Sequence, residues 1–258
     1  METFTFNPKA AEFDRVNARG LAQAAQLAYA DQDAARRTLD VKWDFPKFRF
    51  FSKRGVNGYL AVKDSLMVLA FRGVGPEQMK EWLSASMVVL MPTPHGKLHT
   101  GFKTSLDAAW DEVLISFRLL RNRQQPIWIT GHGIGAAFAT LAAYRLKEEN
   151  IDMAGLYTFG APRVGDAAFG AYCAQAFPAK VYRVVNRYDG ITRLPARQQG
   201  YDHVGTLRHF DAEGKLHDTD DLWQTFLQQP GVAEDFLKAD GDGVLDHRIE
   251  RYLENLKV

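Results

Sequence analysis

The sequence predicts an α/β fold with a mostly parallel central sheet and helices on both faces. Two observations carry this. Beyond Gly101, helical and strand patterns alternate: helix 102–120, strand 126–130, helix 136–149, strand 154–160, helix 167–177 and strand 180–186. Parallel strands need long crossovers of this kind, and strands covered on both faces read as continuous apolar runs. The second observation is bulk: 258 residues at 46% apolar content supply one continuous core, and no repeat or linker divides them, so 1–258 reads as a single domain.

Each element follows from local pattern. Phe13, Val16, Leu21, Ala24, Leu27 and Ala28 recur near helical spacing, which predicts an opening helix across 10–30 despite Gly20. FRFFS (48–52), GYLAVKD (58–64) and SLMVLAFRG (65–73) are aromatic and β-branched runs separated by Gly or Asp turns, hence two or three strands that open the sheet in antiparallel fashion. The final pattern, LDHRIERYLENL (245–256), aligns Leu245, Ile249, Tyr252, Leu253 and Leu256 on one face of a last helix.

Composition excludes several classes. A formal charge of +1 leaves no basic stripe beyond RLLRNRQQ (118–125), the solvated end of a helix, so nucleic acid is not an expected partner. The single Cys173 rules out an internal disulfide and a cysteine zinc site. No HExxH or HxH spacing occurs, and DGDG (240–243) fails the calcium-loop pattern, so neither metal nor other cofactor is expected. Without a basic-then-apolar leader or a transmembrane run, the expectation is a soluble protein, cytoplasmic or exported without a Sec signal.

The chemistry concentrates in ITGHGIGAAFA (129–139), a strand, a glycine turn and a helix. Gly131, Gly133 and Ala136 satisfy G-x-G-x-x-A, the dinucleotide fingerprint, in which backbone N–H groups at a helix start attract a pyrophosphate. Yet several strands precede this unit, and the next strand ends in Gly160, Ala161 and Pro162 with no acid for a ribose. The other reading is a nucleophile elbow, whose frame needs small residues at 131 and 135 and whose central residue, here Gly133, projects above the sheet. The N–H of the next residue, Ile134, would then point into an oxyanion site. Acid and histidine should follow in that order. Asp189, just after strand 180–186, and His247, 58 positions later, do so.

With these residues in place the chain resembles the class 3 lipases, α/β-hydrolases that include fungal triacylglycerol lipases and bacterial relatives. The resemblance rests on LAFRG (69–73), HTGF (99–102), ITGHGIGAAFATLAA (129–143), YTFGAPRVGD (157–166), YRVVNRYDGITRLP (182–195) and DHRIERYL (246–253), in that order. It implies an α/β-hydrolase fold, Asp189 as triad acid, His247 as base and Val74 as the second backbone oxyanion donor. It also implies a lid over 74–91, in which Met79, Trp82, Leu83 and Met87 approximate one apolar face; a core-packed helix is the alternative. The implied partners are an ester or acylglycerol substrate and transient contact with a lipid interface through the lid.

One position departs from the family. Gly133 has no hydroxyl, so the chain is expected to be inactive or nearly so as a Ser-Asp-His ester hydrolase. The alternative is a natural non-catalytic lipid- or partner-binding protein on the same fold, with a nucleotide-binding enzyme behind both. Of the remaining histidines, His132 reads as a packing or hydrogen-bonding residue, His99 as structural and His203 as a family position outside the triad by the same resemblance, and His95, His209 and His217 as surface or strand residues rather than metal ligands.

Overall fold

A computed structural model describes residues 3–64, 66–82, 88–122, 125–218 and 242–257. The sheet forms from strands β1 (Lys47–Lys53), β2 (Val56–Lys63), β3 (Leu66–Phe71), β6 (Ile127–His132), β7 (Gly155–Phe159), β8 (Val181–Asn186), β9 (Thr206–Phe210) and β10 (Leu216–His217), in the spatial order β1-β2-β3-β6-β7-β8-β9-β10. The centre, from β3 to β9, is parallel; β1, β2 and β10 add antiparallel edges. The expected architecture is therefore present, with three opening strands. The hairpin β4 (Leu90–Thr93) and β5 (Gly96–His99), together with β9 and β10, had not been anticipated from sequence.

Two layers of helix cover the sheet. In β3, Met67, Leu69 and Phe71 enter one apolar cluster while Leu66, Val68 and Ala70 enter the other, the period-2 alternation of a strand buried on both sides. The first cluster is closed by α4 (Thr100–Leu120), α5 (Ile134–Glu148) and α6 (Ala167–Ala176), through Phe102, Trp110, Phe138 and Phe169. The second is closed by α1 (Arg15–Leu27) and α8 (Ile249–Asn255), which bring Leu21, Leu27, Tyr252 and Leu256 onto Tyr157, Phe159 and Val184. Between these lie α2 (Gln32–Arg37), α3 (Pro76–Trp82) and α7 (Asp242–Asp246).

Local chemistry sets the helix starts. Asp14 caps α1 by accepting from Asn17 N, Asp166 caps α6 through Phe169 N, and His99 caps α4, its Nδ1 accepting from Phe102 N at 3.3 Å. The expected single helix over 245–256 is instead broken at His247. Arg248 is extended (φ −63°, ψ 132°), and the His247 carbonyl accepts from a side chain rather than continuing a helix. Leu245 consequently faces solvent instead of joining the apolar face of Ile249, Tyr252 and Leu256. Asp240 and Gly241 of the 240–243 turn fall outside the described residues, and Asp242 begins α7.

Phe138 is fully buried at the centre of the first cluster, with ring centroids of Trp82, Phe102 and Phe71 at 5.5, 6.1 and 6.5 Å. Truncating such a ring removes its transfer free energy and leaves a cavity. Phe138→Ala should therefore lower the unfolding free energy by about 3–5 kcal/mol in a denaturant titration; a loss under about 1 kcal/mol would contradict this packing.

Candidate active site

The turn between β6 and α5 is as tight as backbone permits. A β-carbon on Gly131 would stand 2.2 Å from the Gly135 carbonyl oxygen, so no larger residue fits. Gly133 adopts φ 56°, ψ −124°, a conformation that L side chains rarely take, and its N–H donates to Phe159 O at 2.9 Å. Its carbonyl accepts from Ala136 N and Ala137 N, the beginning of the α5 ladder. The Ile134 N–H belongs to the first residue of α5, where helical N–H groups lie beyond the intrahelical ladder and carry the positive end of the helix dipole.

Asp189 caps the short 3₁₀ turn Gly190–Arg193 after β8 and is fully buried. Its Oδ1 accepts from Ile191 N at 3.0 Å; its Oδ2 accepts from Tyr252 OH at 2.5 Å and from His247 Nδ1 at 2.8 Å. Burial and the Asp189 charge raise the Tyr252 hydroxyl well above its ordinary pKa, so it stays a donor. The loop itself is pinned by Arg163, whose guanidinium donates to Arg193 O and to Pro195 O.

His247 lies in the break between α7 and α8, only 7% exposed. Because Nδ1–H donates to Asp189, Nε2 keeps its lone pair, and among the described residues it has no hydrogen-bond partner. A β-carbon on Gly133 would sit 2.9 Å from that Nε2. The structure thus brings Gly133, Asp189 and His247 together in the order and at the strand ends expected. An imidazole so oriented can take a proton from a hydroxyl and return it to a leaving group.

His132 supports this arrangement from behind. Its Nε2 pairs with the His247 carbonyl at 2.6 Å, which makes Nε2 the donor, so Nδ1 accepts from Tyr29 OH at 2.7 Å. Burial first, then the neighbouring His247 ring at 4.4 Å, holds His132 well below its usual pKa. It is a hydrogen-bonding residue, as expected. Tyr29, Arg163 and Tyr252 were not foreseen as part of the site. For Tyr252 a signal existed, since a tyrosine on a buried helix face needs a partner for its hydroxyl.

Of the expected oxyanion and lid residues, Ile134, Val74, Met79 and Trp82 lie among the described residues. Val74 follows Gly73, where a β-carbon would stand 2.6 Å from the His132 carbonyl, so this chain exit runs along the elbow. In α3, Met79 is buried, and its Cε lies 3.8 Å from the β-carbon position of residue 133. Trp82 packs edge-on against Phe138 and at 5.8 Å from Phe102. Leu83 and Met87 lie outside the described residues, and β4 begins at Leu90, inside the far end of the 74–91 segment.

Three comparisons bear on this geometry. A family model described as lipase (class 3) matches residues 68–199, just over half of the chain. The secreted mono- and diacylglycerol lipase A of Penicillium cyclopium is 33% identical over 154 residues, which cover 57% of this chain and 49% of that protein. The chain thus spans about half the length of the curated relatives it matches. A solved Rhizomucor miehei triacylglyceride lipase is similar in fold, with TM-score 0.67 at 23% identity over 87% of this chain and 93% of that one. A mono- and diacylglycerol lipase from Aspergillus oryzae superposes with TM-score 0.65 at 22% identity, covering 81% and 84%. Among the described residues, no helix is long and apolar enough to cross a membrane.

Buried neutral histidines make stability depend on pH. Burial lowers His99 from 6.5 to about 4 and also holds His132 well below its ordinary value. Both are neutral when folded and take up protons when unfolded, so stability is full above about 6.5 and falls as pH drops toward 4. His99→Asn keeps a capping side chain and removes one titration, so it should flatten the fall in unfolding free energy by up to about 1.4 kcal/mol per pH unit. An unchanged slope between pH 6.5 and 4 would contradict a neutral buried His99.

Proposed function

Because the chain belongs to the class 3 lipase family, we propose that it binds carboxylic esters of the acylglycerol type in a lipase site whose nucleophile is replaced by Gly133. One observation supports this above others: His247 Nε2, oriented by Asp189, is aimed at the elbow residue from 2.9 Å off its β-carbon position. In this reading His247 is the base, Asp189 holds its tautomer and stabilises the imidazolium, and the N–H groups of Ile134 and Val74 receive the developing oxyanion. The whole described chain acts as one domain, and 74–91 is the lid. Met79 and Trp82 rest on the site when it is closed and turn toward a lipid surface when it opens.

The parent mechanism forms a seryl ester that water then hydrolyses with help from the same base. Gly133 has no oxygen to attack the carbonyl, so that two-step route is closed, and catalysis falls to what binding and the oxyanion site provide. Physiologically the protein is then inactive or nearly so as a lipase. Acylglycerol preference draws on the relative named for mono- and diacylglycerols and on the solved lipases of like fold.

Gly133→Ser should raise p-nitrophenyl ester hydrolysis by at least about a thousandfold, since loss of a nucleophile alone costs on the order of 10⁶ in kcat. Background rates in a variant with intact circular dichroism would overturn the lipase reading and favour a binding protein on the same fold. The same substitution places an L side chain at φ 56°, so it should lower stability by about 1–3 kcal/mol; an unchanged or raised melting point would show that the turn is relaxed. In the Gly133→Ser background, Asp189→Asn should lower kcat by about 10⁴, whereas a loss under tenfold would remove Asp189 from the acid role.

A further inference from the structure

We propose that the chain, with glycine at the elbow, catalyses one-step acyl transfer from an ester to a small untethered hydroxyl compound, methanol or water, with His247 as general base. The inference rests on the ester-binding reading of the same site and extends it to an activity that needs no residue-bound nucleophile.

Three features of the site converge on this. His247 is more than nine-tenths buried, and among the described residues its Nε2 is without a hydrogen-bond partner, which is costly for a polar atom in such surroundings. That nitrogen is not idle by orientation: Nδ1 is fixed on Asp189 at 2.8 Å, and the ring's own carbonyl is held by His132 at 2.6 Å, so the lone pair is aimed at the elbow. None of these supports comes from residue 133. The base therefore keeps its geometry when the residue it would serve has no side chain.

The third feature is size. A serine side chain is a hydroxymethyl group, and methanol is that group with a hydrogen in place of the bond to Cα. The β-carbon position at 133 lies 2.9 Å from Nε2 and 3.8 Å from Met79 Cε, so a polar nitrogen and an apolar methyl face the same spot. Methanol, with one polar and one apolar end, complements that pair. Its untethered oxygen approaches Nε2 from the side and escapes the short contact that a tethered β-carbon must make.

The step balances without any further reactant. As the methanol oxygen bonds to the ester carbonyl carbon, its proton passes to Nε2 and the carbonyl π pair moves onto oxygen, toward the Ile134 and Val74 N–H groups. When the C=O re-forms, the C–O bond to the leaving alcohol breaks and that alcohol takes the proton back from Nε2. The products are a methyl ester and an alcohol; water in place of methanol yields the free acid. Loss of the tether forfeits a large effective molarity, up to about 10⁵–10⁸ M for well-oriented reactants, so the rate falls far below that of a serine-bearing enzyme.

The experiment incubates the unaltered chain with p-nitrophenyl butyrate and increasing methanol, following p-nitrophenol by absorbance and methyl butyrate by gas chromatography. Methyl butyrate should form with a rate that saturates in methanol, more slowly with ethanol, and not at all in its branched form with 2-propanol. His247→Gln should lower methyl-ester formation by on the order of a hundredfold, the usual weight of a positioned general base. Asp189→Asn, as a second probe, should also lower it, with melting curves confirming that each variant is folded. Equal rates for the unaltered chain and the folded His247→Gln variant, or indifference to alcohol size, would overturn the proposal. Gly133→Ser assayed in parallel separates the two readings. If it hydrolyses the ester while the unaltered chain forms no methyl ester, the transfer proposal alone falls; if neither acts, both fall.

Discussion

The site depends on how closely α5 can approach the end of β6. The carbonyl of Gly135 lies where a side chain on Gly131 would be, and this contact forces the strand to enter the helix within one residue. That residue, Gly133, must take φ 56°, which lifts its α-carbon above the sheet and turns the following N–H groups outward. The turn also fixes its neighbour. His132, the last residue of β6, points toward α1 and the chain's end, where it meets Tyr29 and the His247 carbonyl.

From that constraint the site assembles as two linked hydrogen-bond chains. One runs from Tyr29 through His132 to the backbone of His247; the other runs from Tyr252 through Asp189 to the His247 ring. Backbone and ring of the same residue are thus held independently, by elements from opposite ends of the sequence. Each buried polar atom in the two chains finds its partner among groups other than residue 133, with Nε2 the exception. The His247 backbone and ring are therefore held in place without any contribution from a side chain at position 133.

Much of this is legible in the amino-acid sequence. Asp189 and His247 could be named because a parallel sheet puts its chemistry at strand ends and because the order nucleophile, acid, histidine leaves few candidates. The fold followed from strands buried on both faces alternating with long helices, and the structure agrees with it. What escaped were contacts that periodicity does not encode. Tyr29 and His132 are 103 positions apart, and nothing in either neighbourhood marks the other. The break at His247 escaped for a related reason. Leu245, Ile249, Tyr252 and Leu256 keep helical spacing across it, yet a tertiary hydrogen bond captures the carbonyl that a continuous helix would have used. Hairpin β4–β5 and strands β9 and β10 are short, with half-exposed patterns too brief to stand out.

In the proposed reading, acid, base and elbow backbone for seryl acyl transfer surround Gly133, and the His247 ring has only to give slightly to admit a β-carbon that would otherwise stand 2.9 Å from its Nε2. The most direct measurement is the intact mass of the protein after exposure to diethyl p-nitrophenyl phosphate, a reagent that captures an activated serine without needing the ester's full binding site. One diethylphosphoryl adduct is expected per molecule of the Gly133→Ser variant, mapped by peptide digestion to residue 133 and abolished by His247→Gln, with none on the unaltered chain. A Gly133→Ser protein that stays unlabelled, or an unaltered chain that takes up the same adduct, would contradict it.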